Sequence, residues 1–354
     1  MGQLLYSISI FFLLPILNFI YRQHLYGIPP EKIIYPETGI EAMKLKEESY
    51  SRQEKAAAAA ENFDKEMPNV VANNSLPLPD SIYGGNYIGM CQNQTLCVGP
   101  YARFPSLLVV VPEYRMISCL NQKSLSTVMT GVFCFMNRPE EFLRQNRSLL
   151  REYGDIKMCH SANEYHGVWP IFRDLHVPIR QLKKWSFSMV ARDPVDRFLS
   201  GFVDRCIRTH DSCEGCHYNM TCFLEAELQR AMNYANHLEH KITPEDAHMF
   251  PQNWRCQMDK YRYKMLKYSN DPTQGFLQEF KQELDRQNVP SNLTTFIEEE
   301  LSRGRTAHST VQSEIRKYLE KRLRSSAYLL ELIVRLFYWD YRLLGFAFPT
   351  THAF

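Results

Sequence analysis

The chain has 354 residues, 45% of them hydrophobic and 23% charged, which excludes a disordered polymer and a low-complexity scaffold and allows about two domains. Lysine and arginine number 41 against 39 acidic residues. The chain as a whole is therefore no polycation built for nucleic acid, and any anion it binds is held by a local site.

Leu4 to Tyr21 carries no charge and just reaches the length of a membrane-spanning helix. No small-x-small cleavage site precedes Arg22, so residues 1–21 read as a signal-anchor, with a cleaved signal peptide as the alternative. Residues 22–80 read as a stem. Glu41 to Glu66 is rich in Ala, Lys and Glu with almost no apolar stripe, and Val70 to Pro79 carries the Asn, Ser and Pro of a linker. The globular domain is expected over 81–354. Five Asn-x-Ser/Thr sequons start at Asn73, Asn93, Asn146, Asn219 and Asn292, and there are ten cysteines. Both features suit a glycoprotein of the oxidising secretory lumen.

Within that domain Leu107–Val111 is a buried-strand run and Arg115–Leu120 a second. Ser126–Met136 reads as an apolar helix. Trp185–Ala191 is a third strand, with alternation, and Asp193–Arg208 the helix after it. Phe276, Phe280 and Leu284 recur at helical spacing, and Val311–Leu344 is a nearly continuous helix pattern. The expectation is an α/β fold, a mainly parallel sheet flanked by helices with a helical C-terminal part.

Two segments can grip anions. In the first, a strand ends at Leu120, a polar loop carries Lys123 and Ser124, and a helix opens with Ser126 and Thr127. Free N–H groups at a helix start cradle phosphate, and Lys123 adds a full charge. The glycines of a Walker A loop are missing. In the second, Arg192 ends a strand, Asp193 and Pro194 suit a helix cap and first turn, and Arg197 and Ser200 follow on the helix. Seen alone, the first segment also reads as a surface lysine before a Ser/Thr cap. The second reads as a capped helix with a solvated Arg face. Together, each following a strand, they would sit on one sheet edge and suit a nucleotide with phosphates at both ends.

This pair resembles the signature of the Golgi membrane-bound carbohydrate sulfotransferases of the chondroitin type, in texture nearest a divergent nematode branch. Lys123, Ser126 and Thr127 match that family's Lys-x-x-Ser/Thr-Thr/Ser 5′-phosphosulfate loop. Arg192, Asp193, Pro194, Arg197 and Ser200 match its Arg-Asp-Pro-x-x-Arg-x-x-Ser 3′-phosphate motif. The first departs from the usual chondroitin form, which has Pro before the Lys. His248-Met-Phe-Pro-Gln252 and Phe337-Tyr-Trp-Asp-Tyr341 also look like the family, so the resemblance covers roughly 115–347.

The resemblance implies a P-loop-like sulfotransferase fold and 3′-phosphoadenosine-5′-phosphosulfate as co-substrate, bound by Lys123, Ser124, Ser126, Thr127, Arg192, Arg197 and Ser200. It implies a glycan or glycosaminoglycan acceptor and a single-pass Golgi membrane protein with a lumenal catalytic domain, or alternatively a secreted one. Lys123 would stabilise charge on the leaving phosphate. The motifs demand no metal. The base is sought among His160, His166, His248 and His308. His166 leads because Tyr165-His166-Gly167 looks like the catalytic context of heparan and dermatan 2-O-sulfotransferases, and His248 follows. Glu164 is a further candidate. Cys206, Cys213, Cys216 and Cys222 could form two disulfides, of open pairing, or a zinc site. The competing function is a catalytically inactive glycan-binding glycoprotein on the same fold. A nucleotide-dependent kinase is disfavoured by the absence of a kinase motif set.

Overall fold

Leu107-Leu-Val-Val-Val111 and Met116-Ile-Ser-Cys-Leu120 are short apolar runs separated by only four residues. A gap that short closes a hairpin and cannot make a crossover, which needs a dozen residues or more. In the computed structural model they are β1 (Leu107–Val111) and β2 (Met116–Leu120), antiparallel with Leu107 opposite Leu120. The model describes residues 67–351 except 86, 92–95, 161, 270–274 and 304–312. The apolar stretch 4–21, the segment up to Glu66, His308 and the sequon at Asn93 lie outside the described residues. No described helix is long and apolar enough to cross a membrane.

The helices over the first half are α1 (Ser126–Asn137), α2 (Pro139–Arg144), α3 (Val168–Asp174), α4 (Pro194–Phe202), α5 (Met220–Ala235) and α6 (Pro244–Met249). Four more follow: α7 (Phe276–Arg286), α8 (Ser291–Ser302), α9 (Glu314–Arg324) and α10 (Ala327–Leu344). The remaining strands are β3 (Glu164–Tyr165), β4 (Ser186–Arg192) and β5 (Lys264–Tyr268), and the sheet order is β3-β1-β2-β4-β5. β2, β4 and β5 run parallel, whereas β1 is antiparallel to both β2 and β3. The fold is α/β as expected, but the sheet is mixed. The parallel part is confined to the strands that helices connect.

Strand periodicity splits the core into two faces. Val109, Val111, Met116 and Val190 pack against α1, α7 and α8, while Leu108, Val110, Ile117 and Met189 pack against α3. A third cluster joins α4, α5, α9 and α10. The helix expected over 311–344 is two helices in its described part. It breaks at Ser325–Ser326, where the extended Ser326 caps α10 by accepting the Leu329 N–H at 3.2 Å. The helix after β4 changes character, with a π-helical turn, Val203–Arg208, following α4.

Part of the expected linker packs on the domain. Val70 is wholly buried, and Asn74 donates to Tyr218 O at 2.6 Å and accepts from Met220 N at 2.9 Å. All ten cysteines are paired. The clustered four form Cys206–Cys213 and Cys216–Cys222, beside Cys91–Cys97 and Cys134–Cys159. Cys119–Cys256 joins β2 to a segment 137 residues away. A loop of that length corresponds to about 5 kcal/mol in the chain-entropy account.

Candidate active site

The turn between β2 and α1 is tight and built without glycine. Lys123 (φ 66°) and Leu125 (φ 55°) both take left-handed conformations, which cost a residue with a Cβ roughly 1–2 kcal/mol each. Asn121, fully buried, holds the turn: its carbonyl accepts the Ser124 N–H at 3.1 Å and its Nδ2 donates to Ser124 Oγ at 3.0 Å. Ser124 is thus a buried post of the loop. Ser126 and Thr127 are the first two residues of α1. The residue before them is Leu125, no side chain caps the helix, and its first turn has no acid. Its leading N–H groups are left for an anion.

The second loop leaves the neighbouring strand. β4 is parallel to β2, so both loops emerge from one sheet edge, where ligands bind in such sheets. Asp193 caps α4 by accepting the Asp196 N–H at 3.1 Å, and Pro194 fills the first turn. Arg192, 3% exposed, donates from Nη1 to Lys123 O at 2.9 Å and lies over the Tyr268 ring at 5.3 Å. One buried side chain ties the two loops together. Gln252 Oε1 accepts from Asn121 Nδ2 at 2.7 Å and from the Arg192 N–H at 3.1 Å, while its Nε2 donates to Arg192 O at 2.8 Å.

Arg316 from α9 completes this end. It is buried and pairs with Asp196 at 2.8 Å. Burial lowers the Arg192 pKa, and the Arg316 charge pushes the same way. A buried guanidinium whose charge is disfavoured by burial and by a second cation makes a place where an anion is stabilising.

At the other end Lys123 Nζ contacts Asp204, with the two side chains 11% and 8% exposed. Asp204 lies one turn beyond Ser200, at the start of the π-helical turn, and Arg208 Nη1 is 3.5 Å from its other oxygen. Burial opposes charge on the Asp204 carboxyl, but Lys123 and Arg208 outweigh it and hold the group below the usual carboxylate range. Burial in turn draws the Lys123 ammonium below the usual lysine range.

His248 joins this cluster because α6 packs closely on α4. A Cβ added at Gly201 would meet Met249 Sδ at 2.6 Å and lie 3.7 Å from His248 O. The ring's Nδ1–H donates to Pro244 O at 2.6 Å, which leaves Nε2 with its lone pair. Burial and the Lys123 charge push its pKa down to about 3, so the imidazole is neutral.

The structure therefore brings Lys123, Ser126, Thr127, Arg192, Ser200 and His248 to one edge. His166 follows β3 on the same edge, because Tyr165 pairs with Leu108 and Leu107 with Leu120. It is exposed there, two strand spacings or about 10 Å from the end of β2. Arg197, expected among the phosphate ligands, is buried beneath the loop. Its Nε donates to Gln122 O at 3.0 Å and its Nη1 to Met249 O at 3.1 Å, so it holds the loop, while its buried Nη2 has no hydrogen-bond partner among the described residues. Glu164 pairs with Lys157. Sequence reasoning missed Asp204, Arg316 and the tie made by Gln252. The available signals were the spacing of Asp204 four residues after Ser200 and the His248–Gln252 segment.

Comparison with known proteins gives the family. A family model described as the sulfotransferase family matches residues 106–347. An uncharacterized protein of Caenorhabditis elegans is 33% identical over 290 residues, covering 80% of this chain and 81% of its own. The carbohydrate sulfotransferase chst-1 of the same organism is 30% identical over 264 residues, covering 70% of this chain and 78% of its own. No solved structure matches the chain.

Proposed function

The chain belongs to the sulfotransferase family, and we propose that it transfers a sulfuryl group from 3′-phosphoadenosine-5′-phosphosulfate to a glycan hydroxyl. The observation that carries this reading is the pairing of two cationic loops on adjacent parallel strands, locked together by Gln252 and by the Arg192–Lys123 hydrogen bond. A donor phosphorylated at both ends suits two such grips. The open start of α1 with Ser126 and Thr127 would take the 5′-phosphate. Arg192 and Ser200 would take the 3′-phosphate, with Arg316 adding to the field. The carbohydrate class of the acceptor is supported by the likeness to chst-1.

The donor supplies an activated sulfuryl group, and the chain's work is positioning and charge. Lys123 offsets the negative charge that builds on the leaving phosphate. His248 is our choice of base, since its Nε2 can take the acceptor proton beside Lys123. Anionic substrate there would counter the Lys123 charge and raise its basicity. His166, exposed on the same edge, is the second candidate. We place the chain in the Golgi membrane with its domain in the lumen. The five disulfides and the exposed sequons at Asn146 and Asn292 support an oxidising, glycosylating compartment.

The test is Lys123→Ala. The variant should fold and bind 3′,5′-ADP within about tenfold of wild type, and lose roughly a hundredfold or more in transfer of radiolabelled sulfate to a mixed glycan pool. Wild-type rates in the variant refute the loop assignment. A wild type that binds 3′,5′-ADP and sulfates nothing in a broad panel favours a binding protein.

A further inference from the structure

We propose that Asp204 is the resting partner of the Lys123 ammonium, a positioning residue that the anionic end of the donor displaces. The inference rests on the donor reading above and assigns it a further residue. The pair is almost sealed from water, with side-chain exposures of 11% and 8%. An ammonium so placed needs a counter-charge at all times, and before the donor arrives Asp204 is the carboxylate in contact with it.

Three features make Asp204 a partner that can let go. It has a second cation, since Arg208 Nη1 lies 3.5 Å from Oδ1 while Lys123 holds Oδ2. Surrendering Lys123 therefore leaves no buried carboxylate without a counter-ion. The Lys123 backbone stays in place during the exchange, because its carbonyl accepts from Arg192 Nη1 at 2.9 Å and its φ of 66° belongs to the tight loop. Only the side chain has to swing, from Asp204 toward the start of α1. Finally, Asp204 sits on the six-residue π-helical turn Val203–Arg208. Such turns are rare, occur frequently at functional sites and re-aim the side chains they carry. Here the turn presents Asp204 to a lysine 81 residues away.

A carboxylate that holds Lys123 also competes with the ligand for it, and this gives the proposal a signature that a structural role lacks. Asp204→Asn keeps the shape and removes the charge. By calorimetry it should bind 3′,5′-ADP more tightly than wild type, roughly five- to twentyfold for one competing unit charge in a partly buried site. In a Lys123→Ala background the same substitution should tighten binding far less. Weaker or unchanged binding in Asp204→Asn, or equal tightening in both backgrounds, overturns the proposal. A crystal structure of wild type with 3′,5′-ADP tests it without any variant. Lys123 Nζ should lie on the 5′-phosphate with Asp204 kept by Arg208, and Lys123 still on Asp204 refutes the exchange. If wild type binds no 3′,5′-ADP at all, the donor reading itself fails, which is a distinct result.

Discussion

Gln252→Leu is the sharpest test of how the two loops are held. The side chain is fully buried and close in size to leucine. Its replacement removes the acceptor for the Arg192 N–H (3.1 Å) and the donor to Arg192 O (2.8 Å). Asn121 Nδ2 loses its 2.7 Å bond but keeps Ser124 Oγ at 3.0 Å and Val190 O at 3.2 Å. The net cost is thus two orphaned backbone groups at the end of β4, at ~1–3 kcal/mol each, or roughly 2–6 kcal/mol in all. Against a total stability of ~5–15 kcal/mol that is large, and it corresponds to a midpoint roughly 5–15 °C lower. The backbone N–H of residue 252 still reaches Asp340 Oδ2 at 2.8 Å, so the segment should remain docked while the loops loosen. Urea unfolding with disulfides intact measures the stability. A titration with 3′,5′-ADP should show at least a tenfold loss of affinity. A stability loss below ~1 kcal/mol with unchanged nucleotide affinity would refute the claim that Gln252 holds the site together.

Arg192→Ala should weaken 3′,5′-ADP by about 10–100-fold, the worth of a charge-assisted hydrogen bond, and should weaken AMP far less; equal losses by calorimetry would remove Arg192 from the 3′-phosphate. Gly131→Ala should destabilise by ~1–3 kcal/mol in urea, because the new Cβ would lie 2.5 Å from the backbone oxygen of Leu149. His248 is pushed down to about 3 in the fold, against ~6.5 in the unfolded chain. The fold therefore binds fewer protons than the unfolded chain between these values. This contribution to stability is complete above pH 6.5 and is lost as pH falls, by roughly 2 kcal/mol at pH 5. Wild type should thus lose more stability than His248→Gln between pH 7.5 and pH 5, and parallel losses would contradict the half-buried, neutral imidazole.

The parts of the site that are local in sequence were legible. A strand, a polar turn and a helix start announce themselves by composition, so Lys123, Ser126, Arg192 and the Asp193–Pro194 cap could be read directly. The hairpin was readable too, from the four residues between β1 and β2, although the strand–helix alternation suggested a more parallel sheet. The Ser325–Ser326 break carried a cap signal that the apolar periodicity on both sides masked. Arg197 shows where local reading stops. Nothing in its motif position announces the carbonyls it holds at Gln122 and Met249, 75 and 52 residues away. Asp204, Gln252 and Arg316 meet their partners across 81, 60 and 120 residues. No spacing rule reaches that far, because packing sets these encounters.

Those long reaches have a consequence for how the site forms. Asp340, buried on α10, accepts the backbone N–H groups of Gln252 and Asn253 and the Asn253 side-chain amide, each at 2.8 Å. Asn253 in turn accepts the Tyr101 N–H at 2.9 Å. Gln252 then fixes Asn121 and Arg192, and Arg197 fixes Gln122. This sheet edge is thus held through a chain of buried polar contacts that starts on α10 and ends on the first loop. Each link is a charged or amide group whose alternative is an unsatisfied buried atom, so partial assembly is costly. Neither strand–loop–helix unit can hold its loop conformation alone, with two left-handed residues in the first and a buried arginine ending the strand of the second. The arrangement of the cationic loops therefore depends on α10 being docked. The Cys119–Cys256 bond anchors the middle of that chain by tying β2 to the segment that carries Gln252. The arrangement of the two loops at this edge is for that reason a property of the whole domain, although its sequence signature occupies only two short stretches.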